Sequence, residues 1–444
     1  MSQETFGSLS DPRAAFTVVG ARVIDPAART DETRDLAVVD GFIALEPDPA
    51  AERIDGHGLV LAPGLCDLHA HVREPGGEAA ETVASAARAA ARGGFTTICA
   101  MPNTEPPLDS AAAVAHGSSV DGACRVRVIG AATIGRSGAE PADLASLAEA
   151  GAVGFSDDGA SIPDASTARR VMERLAALGL PFVEHAEDAD LAGDGVMRDG
   201  LVALRMGLAG WPAEAEVRVI ERDIAIAEET GARLHVTHLS TARGLDAIRS
   251  ARSRGMAVTC DVTPHHLAMT DAWVAGSRRF AWEEPDGLPD RAYDGACRVN
   301  PPLTTPEDAL ALLAGLGDGS IDAIATDHAP HPAKRKLVPF DEAAPGLIGL
   351  ETALSLGLAA VASGRLELSA LVAALSARPA SIIGEKRSLE IGSAAELVLF
   401  DPDARWRVAP ETLASASSNT PLLGMELPGV VHMTVAGGRV TYRS

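Results

Sequence analysis

Through the middle of the chain, short apolar runs recur at intervals, each ending in polar residues and followed by a segment with helical spacing. The runs are GLCDLHAHV (64–72), FTTICAMPN (95–103), RVRVIGA (125–131), AVGFSDD (152–158), LPFVEH (180–185), RLHVTHL (233–239), MAVTCDV (256–262) and IDAIATDH (321–328). Each has the length and β-rich composition of a strand. Between the first two lies ETVASAARAAARGG, an Ala-rich stretch that stops at Gly93-Gly94, as a helix does. Strands alternating with helices imply a parallel sheet, and eight repeats predict a (β/α)8 TIM barrel of the α/β class.

The two ends of the chain have a different texture. Residues 16–62 read as short strands broken by turn residues (FTVVGARVID, DLAVVDGFIAL, ERIDGHGLVLAPG), and AELVLFDP, RWRVAP and VVHMTVAGGRVTY repeat that texture near the C-terminus. These pieces predict one small β-sandwich domain built from residues 1–62 and 386–444, flanking a barrel over 63–385.

Composition narrows the partners. The 444 residues are 46% hydrophobic and 22% charged, ordinary for a globular chain with a large core. Lys and Arg number 38 against 61 Asp and Glu, a formal net charge of −23. A surface this acidic argues against nucleic acid and anionic membranes, and an anionic substrate would need a local patch of positive charge. The five cysteines (Cys66, Cys99, Cys124, Cys260 and Cys297) are scattered and form no CxxC pair, which predicts buried free thiols. No run approaches the roughly 18 apolar residues of a membrane span. The stretch MSQETFGSLSDPRAAF lacks the charged start and apolar core of a signal peptide, so the expected location is cytoplasmic.

The chemistry gathers where the apolar runs stop. His69, His71, Asn103, Asp157, Asp158, His185, His238 and Asp327 all fall at the C-terminal ends of predicted strands, the end at which barrel active sites are built. Packing alone gives no reason for this recurrence. In His69-Ala70-His71 the period-two alternation of a strand points both imidazoles to one face, where they can share an ion. Imidazole and carboxylate donors together suit zinc and related divalent ions. His235, three residues before His238, is expected on the opposite face of its strand. His265 and His266 are expected to pack or to support the site from behind, and His328 to pack or to orient Asp327.

The motifs PGLCDLHAHVREPG, GGFTTICAMPN, GFSDDG, HVTHLSTARG, VTPHHL, VNPPL and IDAIATDHAPH, in this order, resemble the dihydroorotase branch of the amidohydrolase superfamily over about residues 17–440. The resemblance implies two zinc ions per subunit. His69 and His71 would hold one with Asp327, and His185 and His238 the other, with Asp327 also shuttling the proton. Many relatives bridge the ions with a carboxylated lysine. The three lysines here, Lys334, Lys336 and Lys386, all follow the catalytic strands. Ser156-Asp157-Asp158 instead resembles the subgroup that bridges with an aspartate, which favours Asp158 and leaves Asp157 as the alternative. For the substrate, N-carbamoyl-L-aspartate or dihydroorotate, the resemblance implies contacts from His71, Arg73, Asn103, Asn300, His331 and the backbone of Pro345-Gly346. The planar fork of Arg73 suits a carboxylate. Asn103 and Asn300 also read as turn formers beside Pro102 and Pro301. The loop AAPGLIG departs from the family, which often carries a Phe there.

The implied reaction is the reversible cyclisation of N-carbamoyl-L-aspartate in pyrimidine biosynthesis. Rival readings are another cyclic amidase, allantoinase- or dihydropyrimidinase-like, and an inactive barrel serving as a partner of aspartate transcarbamoylase. The family also implies a homodimer and that transcarbamoylase as candidate macromolecular partners.

Overall fold

The computed structural model describes residues 4–119 and 122–444. Residues 1–3, part of the N-terminal stretch and of the 1–62 piece read above, lie outside the described residues. All eight apolar runs are strands of one parallel sheet: β1 (Leu65–Ala70), β2 (Phe95–Ala100), β3 (Arg125–Ala131), β4 (Ala152–Ser156), β5 (Pro181–Glu184), β6 (Arg233–Val236), β7 (Val258–Val262) and β8 (Ala323–Ile324). They lie side by side in chain order. A parallel bridge between Ala70 and His328, just past β8, nearly closes the ring, and the His71 N–H donates to the His328 carbonyl at 2.8 Å. This is the expected (β/α)8 barrel.

The strands are shorter than the runs that predicted them, because the polar tails have left the sheet. Of the metal-site candidates, His69 is still inside its strand, while His71, Asp158, His185, His238 and Asp327 lie one to three residues past a strand end. Deeper in the barrel, Leu68, Cys99, Met101, Ile129 and Val183 fill the interior with Ile382, contributed by the helix Ala377–Ile382. The Ala-rich helix after β1 runs Val83–Arg92 and is started by Thr82, whose side chain accepts from the Ser85 N–H. Its alanine face packs close to the sheet, and Gly93 ends it where any Cβ would collide with the Leu350 carbonyl.

The chain ends join in a second, mixed sheet that curls beside the barrel. Its strands run in the order Thr5–Phe6, Arg439–Arg443, Glu426–Ala436, Leu397–Arg407, Val60–Pro63, Phe16–Asp25, Thr30–Val39 and Phe42–Ala44, with Glu52–Asp55 paired to Phe16–Asp25. The seam between N- and C-terminal pieces is antiparallel, Leu397 opposite Pro63 through Phe400 opposite Val60. Val18, Val23, Leu36, Val38, Leu61 and Leu397 form its core.

All five cysteines are buried and free, as expected. Trp211 is a packing anchor, buried under the Arg198 guanidinium 4.8 Å from its ring. Among the described residues, no helix is long and apolar enough to cross a membrane.

Candidate metal centre and substrate pocket

The C-terminal rim of the barrel brings six of the predicted residues into one buried cluster. His69 and His71 turn their Nε2 atoms toward each other at 3.3 Å. In each ring the other nitrogen is engaged: His69 Nδ1 meets the Thr237 hydroxyl at 2.8 Å, and His71 Nδ1 meets Asn103 Oδ1 at 2.8 Å. An amide oxygen can only accept, so His71 carries a proton on Nδ1, which leaves Nε2 as the nitrogen able to offer a lone pair to an ion. Across the barrel, His185 Nδ1 and His238 Nε2 approach to 2.8 Å.

Asp158 lies between the two pairs. Its Oδ1 is 3.3 Å from His69 Nε2, 3.4 Å from His185 Nδ1 and 3.6 Å from His238 Nε2, and Oδ2 is 3.7 Å from His71 Nε2. Asp327 Oδ1 approaches His71 Nε2 at 2.9 Å and His69 Nε2 at 3.5 Å. Two sets of donor atoms are close enough to hold an ion, His69 with His71 and Asp158, and Asp158 with His185 and His238. Asp158 belongs to both. Its Oδ1 is buried without a hydrogen-bond partner among the described residues, which is costly for a carboxylate unless a cation completes it. Donor type, convergence and this orphaned oxygen all fit divalent metal.

Asp157 is turned away. Its carboxylate accepts the Ala132 and Thr133 N–H groups, both at 3.0 Å, and the Thr133 hydroxyl. It fastens the loop after β3 rather than facing the histidines.

The electrostatics follow from crowding. Burial opposes charge on Asp158 and Asp327, but the surrounding imidazoles outweigh it and hold both carboxyls well below the ordinary range. In turn Asp158 raises His69 to about 9 against the pull of burial, and Asp158 with Glu187 raises His185 to about 10. His71 moves the other way, lowered by burial.

A cavity of about 240 Å3 opens over this cluster, lined on the far side by Arg73, Asn300, His331, Pro345 and Gly346. Arg73 has positive φ (61°) and donates through Nε to the Pro330 carbonyl at 3.2 Å, with Nη2 3.4 Å from His331 Nε2. His331 Nε2 meets the Pro345 carbonyl at 2.8 Å, and burial beside Arg73 pushes its pKa down to about 3. Gly346 adopts φ +123°, where a side chain would strike Ala329. Asn103 receives His71, and Asn300 donates to Glu187 at 2.7 Å.

Several supporting residues escaped the sequence reading. Asp261 in β7 accepts the His238 N–H at 2.7 Å and the Thr237 hydroxyl at 3.0 Å, bracing one histidine of each pair. His235 also binds Asp261, at 2.9 Å, so it faces the barrel interior and not the opposite side. The alternation fails because His238 lies beyond the end of β6, with φ +38°. Asp67 accepts the Thr326 N–H at 2.8 Å, fixing the residue before Asp327. His328 pairs with Glu81 at 3.3 Å and accepts the Gly349 N–H at 3.2 Å, the packing role of its two expected ones. His266 is held by Thr263 and the Pro301 carbonyl, and both ring nitrogens of His265 are buried without partners among the described residues. An acid inside an apolar run, as in MAVTCDV, was the available signal for Asp261.

Comparison with known proteins agrees with this geometry. The dihydro-orotase-like family model matches residues 58–243. A dihydroorotase of Anaeromyxobacter dehalogenans (strain 2CP-C) is 44% identical over 434 residues, covering 96% of this chain and 97% of its own. One from Desulforapulum autotrophicum is 41% identical, covering 96% and 98%. The chain belongs to the dihydroorotase family. Among solved structures, the L-hydantoinase (dihydropyrimidinase) from Arthrobacter aurescens superposes with a TM-score of 0.81 at 26% identity, over 96% of this chain and 95% of that one. The dihydropyrimidinase from Brevibacillus agri NCHU1002 shares the fold, with a TM-score of 0.78 at 22% identity. The cavity sets Arg73, Asn103 and Asn300 beside the histidine–carboxylate cluster.

Proposed function

We infer that this protein is a dihydroorotase, catalysing the reversible cyclisation of N-carbamoyl-L-aspartate to (S)-dihydroorotate and water in pyrimidine (UMP) biosynthesis. The observation that carries this reading is 44% identity across 96% of the chain to a protein of that name. Two zinc ions per subunit would be held by His69, His71 and Asp327 and by His185 and His238, together with Asp158, which belongs to both donor sets. Its two oxygens and negative charge replace a carboxylated lysine, which this chain cannot supply before Lys334. When bound, such ions make water nucleophilic near neutral pH and polarise the carbonyl under attack.

The remaining work falls to side chains. Arg73 takes the substrate carboxylate in a forked pair, with Asn103, Asn300, His331 and His71 around it and the Pro345-Gly346 backbone against the ring. Asp327 moves the proton. In hydrolysis it accepts one from the attacking water and gives it to the departing ring nitrogen. In synthesis it takes the proton of the ureido nitrogen as that atom closes the ring and passes it to the departing carboxyl oxygen, which leaves as water with a second proton from solvent. The pocket loops pack on the barrel unit (63–385), and the composite unit (1–62 with 386–444) buttresses it.

Likeness to the L-hydantoinase structure favours a second reading, a cyclic amidase for hydantoins or dihydropyrimidines. An assay of zinc-loaded protein with dihydroorotate, hydantoin, allantoin and dihydrouracil separates the two. Turnover of dihydroorotate alone is expected, and fast turnover of hydantoin without it would overturn the specific reading. The proposal extends to a cytoplasmic homodimer that docks an aspartate transcarbamoylase. Light scattering on the protein alone and on the mixture tests both contacts.

A further inference from the structure

Glu187 lies two residues beyond His185, in the loop that leaves β5. That loop is fixed by Ser161, whose hydroxyl donates to the His185 carbonyl at 2.5 Å and accepts the Glu187 N–H at 2.9 Å. Held this way, Glu187 Oε2 stands 3.0 Å from His185 Nε2 and accepts from Asn300 Nδ2 at 2.7 Å. One oxygen atom thus touches a candidate metal ligand and a residue of the substrate pocket.

We propose that Glu187 is a positioning residue that couples the metal centre to the substrate pocket through this shared carboxylate oxygen. The inference rests on reading His185 as a metal ligand and Asn300 as a substrate contact. A carboxylate accepts and does not donate, so it draws the imidazole proton to Nε2 and leaves the lone pair on Nδ1. Nδ1 is the nitrogen that faces Asp158 at 3.4 Å and His238 at 2.8 Å. With the other tautomer, an N–H would point into the donor set. The same oxygen fixes the Asn300 amide. Only its Nδ2 can face a carboxylate, so the amide carbonyl is left for the cavity that Asn300 lines. Losing Glu187 therefore releases both partners at once, although it reaches neither the reacting atoms nor the ion.

Two variants test this, each read by zinc retention against a competing chelator and by steady-state kinetics with dihydroorotate. Glu187→Met keeps the bulk and removes the acceptor. It should weaken retention of one of the two ions about 10–100-fold and raise KM about 3–10-fold, the loss of roughly one hydrogen bond. Glu187→Gln keeps an acceptor oxygen at the same reach and should stay within about threefold of wild type in both readings. Glu187→Met with wild-type zinc retention or wild-type KM overturns the proposal, as does Glu187→Gln as impaired as Glu187→Met. Loss of the cooperative unfolding transition in both variants would assign Glu187 to the fold and overturn it too. His185→Ala is the control on the underlying reading: if it retains both ions, His185 is not a ligand, whatever Glu187 does.

Discussion

The two ends of the barrel both gather ionisable side chains and settle their charge in opposite ways. At the N-terminal end, carboxylates meet guanidinium groups: Arg127 donates to Glu385 at 2.6 Å, Arg387 lies 2.8 Å from the same residue, and Arg125 donates to Glu396 at 3.1 Å. At the C-terminal end, Asp158 and Asp327 meet imidazoles. Guanidinium is a permanent cation in fixed geometry, so the first arrangement stays an ion-pair cluster. Imidazole can give up its proton and offer a lone pair, so the second can exchange protons for metal. The difference separates a structural plug from a reactive centre more sharply than residue counts do.

The largest effect is expected from Asp327→Asn, which keeps size and polarity but cannot take a proton. It should lower kcat about 10²–10⁴-fold with the unfolding temperature and substrate affinity near wild type. Activity close to wild type would remove Asp327 from the proton path.

Next comes the contrast within the Asp157–Asp158 pair. Asp158→Ala should cut bound zinc below two ions per chain, read by elemental analysis, and lower turnover with it. Asp157→Ala should retain zinc and instead lose about 1–3 kcal/mol of stability, since it strands two buried N–H groups. The reverse pattern would move the bridge to Asp157.

A pH series sharpens the same point. In chelator-stripped protein, His69 and His185 hold protons up to about 9 and 10, and an entering ion must displace them. Because the ligating form is the neutral one, apparent zinc affinity should rise with pH, about tenfold per unit for each proton displaced, and level off above those values. Competition titrations giving one affinity from about pH 6 to 8 would contradict the coupling.

The smallest effect belongs to the closed end. Arg127→Ala breaks a pair whose arginine is 36% exposed, so after solvent screening it should cost about 1 kcal/mol of stability. Its kcat should not change.

Much of this was legible in the sequence. The eight runs map one-to-one onto β1–β8, because a strand covered by helices must be continuously apolar and the pattern shows that. The location of His69, His71, His185, His238 and Asp327 followed from where those runs end. Local pattern alone left Asp157 open beside the favoured Asp158: past Ser156 the period-two rule lapses, and the amides that hold Asp157 belong to Ala132 and Thr133, in the loop after β3. Asp261 was hidden because its partners lie on β6 and just past its end. Lys336 entered only as a lysine in the wrong place for a bridge. In the fold its ammonium donates to the Arg298, Ala344 and Gly346 carbonyls, tying together the loops behind the pocket, and burial lowers it to about 7. No local pattern announces a contact made by three distant carbonyls.

The seam that joins Val60–Pro63 to Leu397–Arg407 constrains how the molecule is made. On a ribosome, the early strand emerges more than three hundred residues before its partner, and the bridge from Ala70 waits for His328. Contacts this distant in sequence form slowly and leave edges bare meanwhile. Completion of both sheets therefore waits for Leu397–Arg407, and until then the nascent chain carries Val60–Pro63 paired on one side only, to Phe16–Asp25.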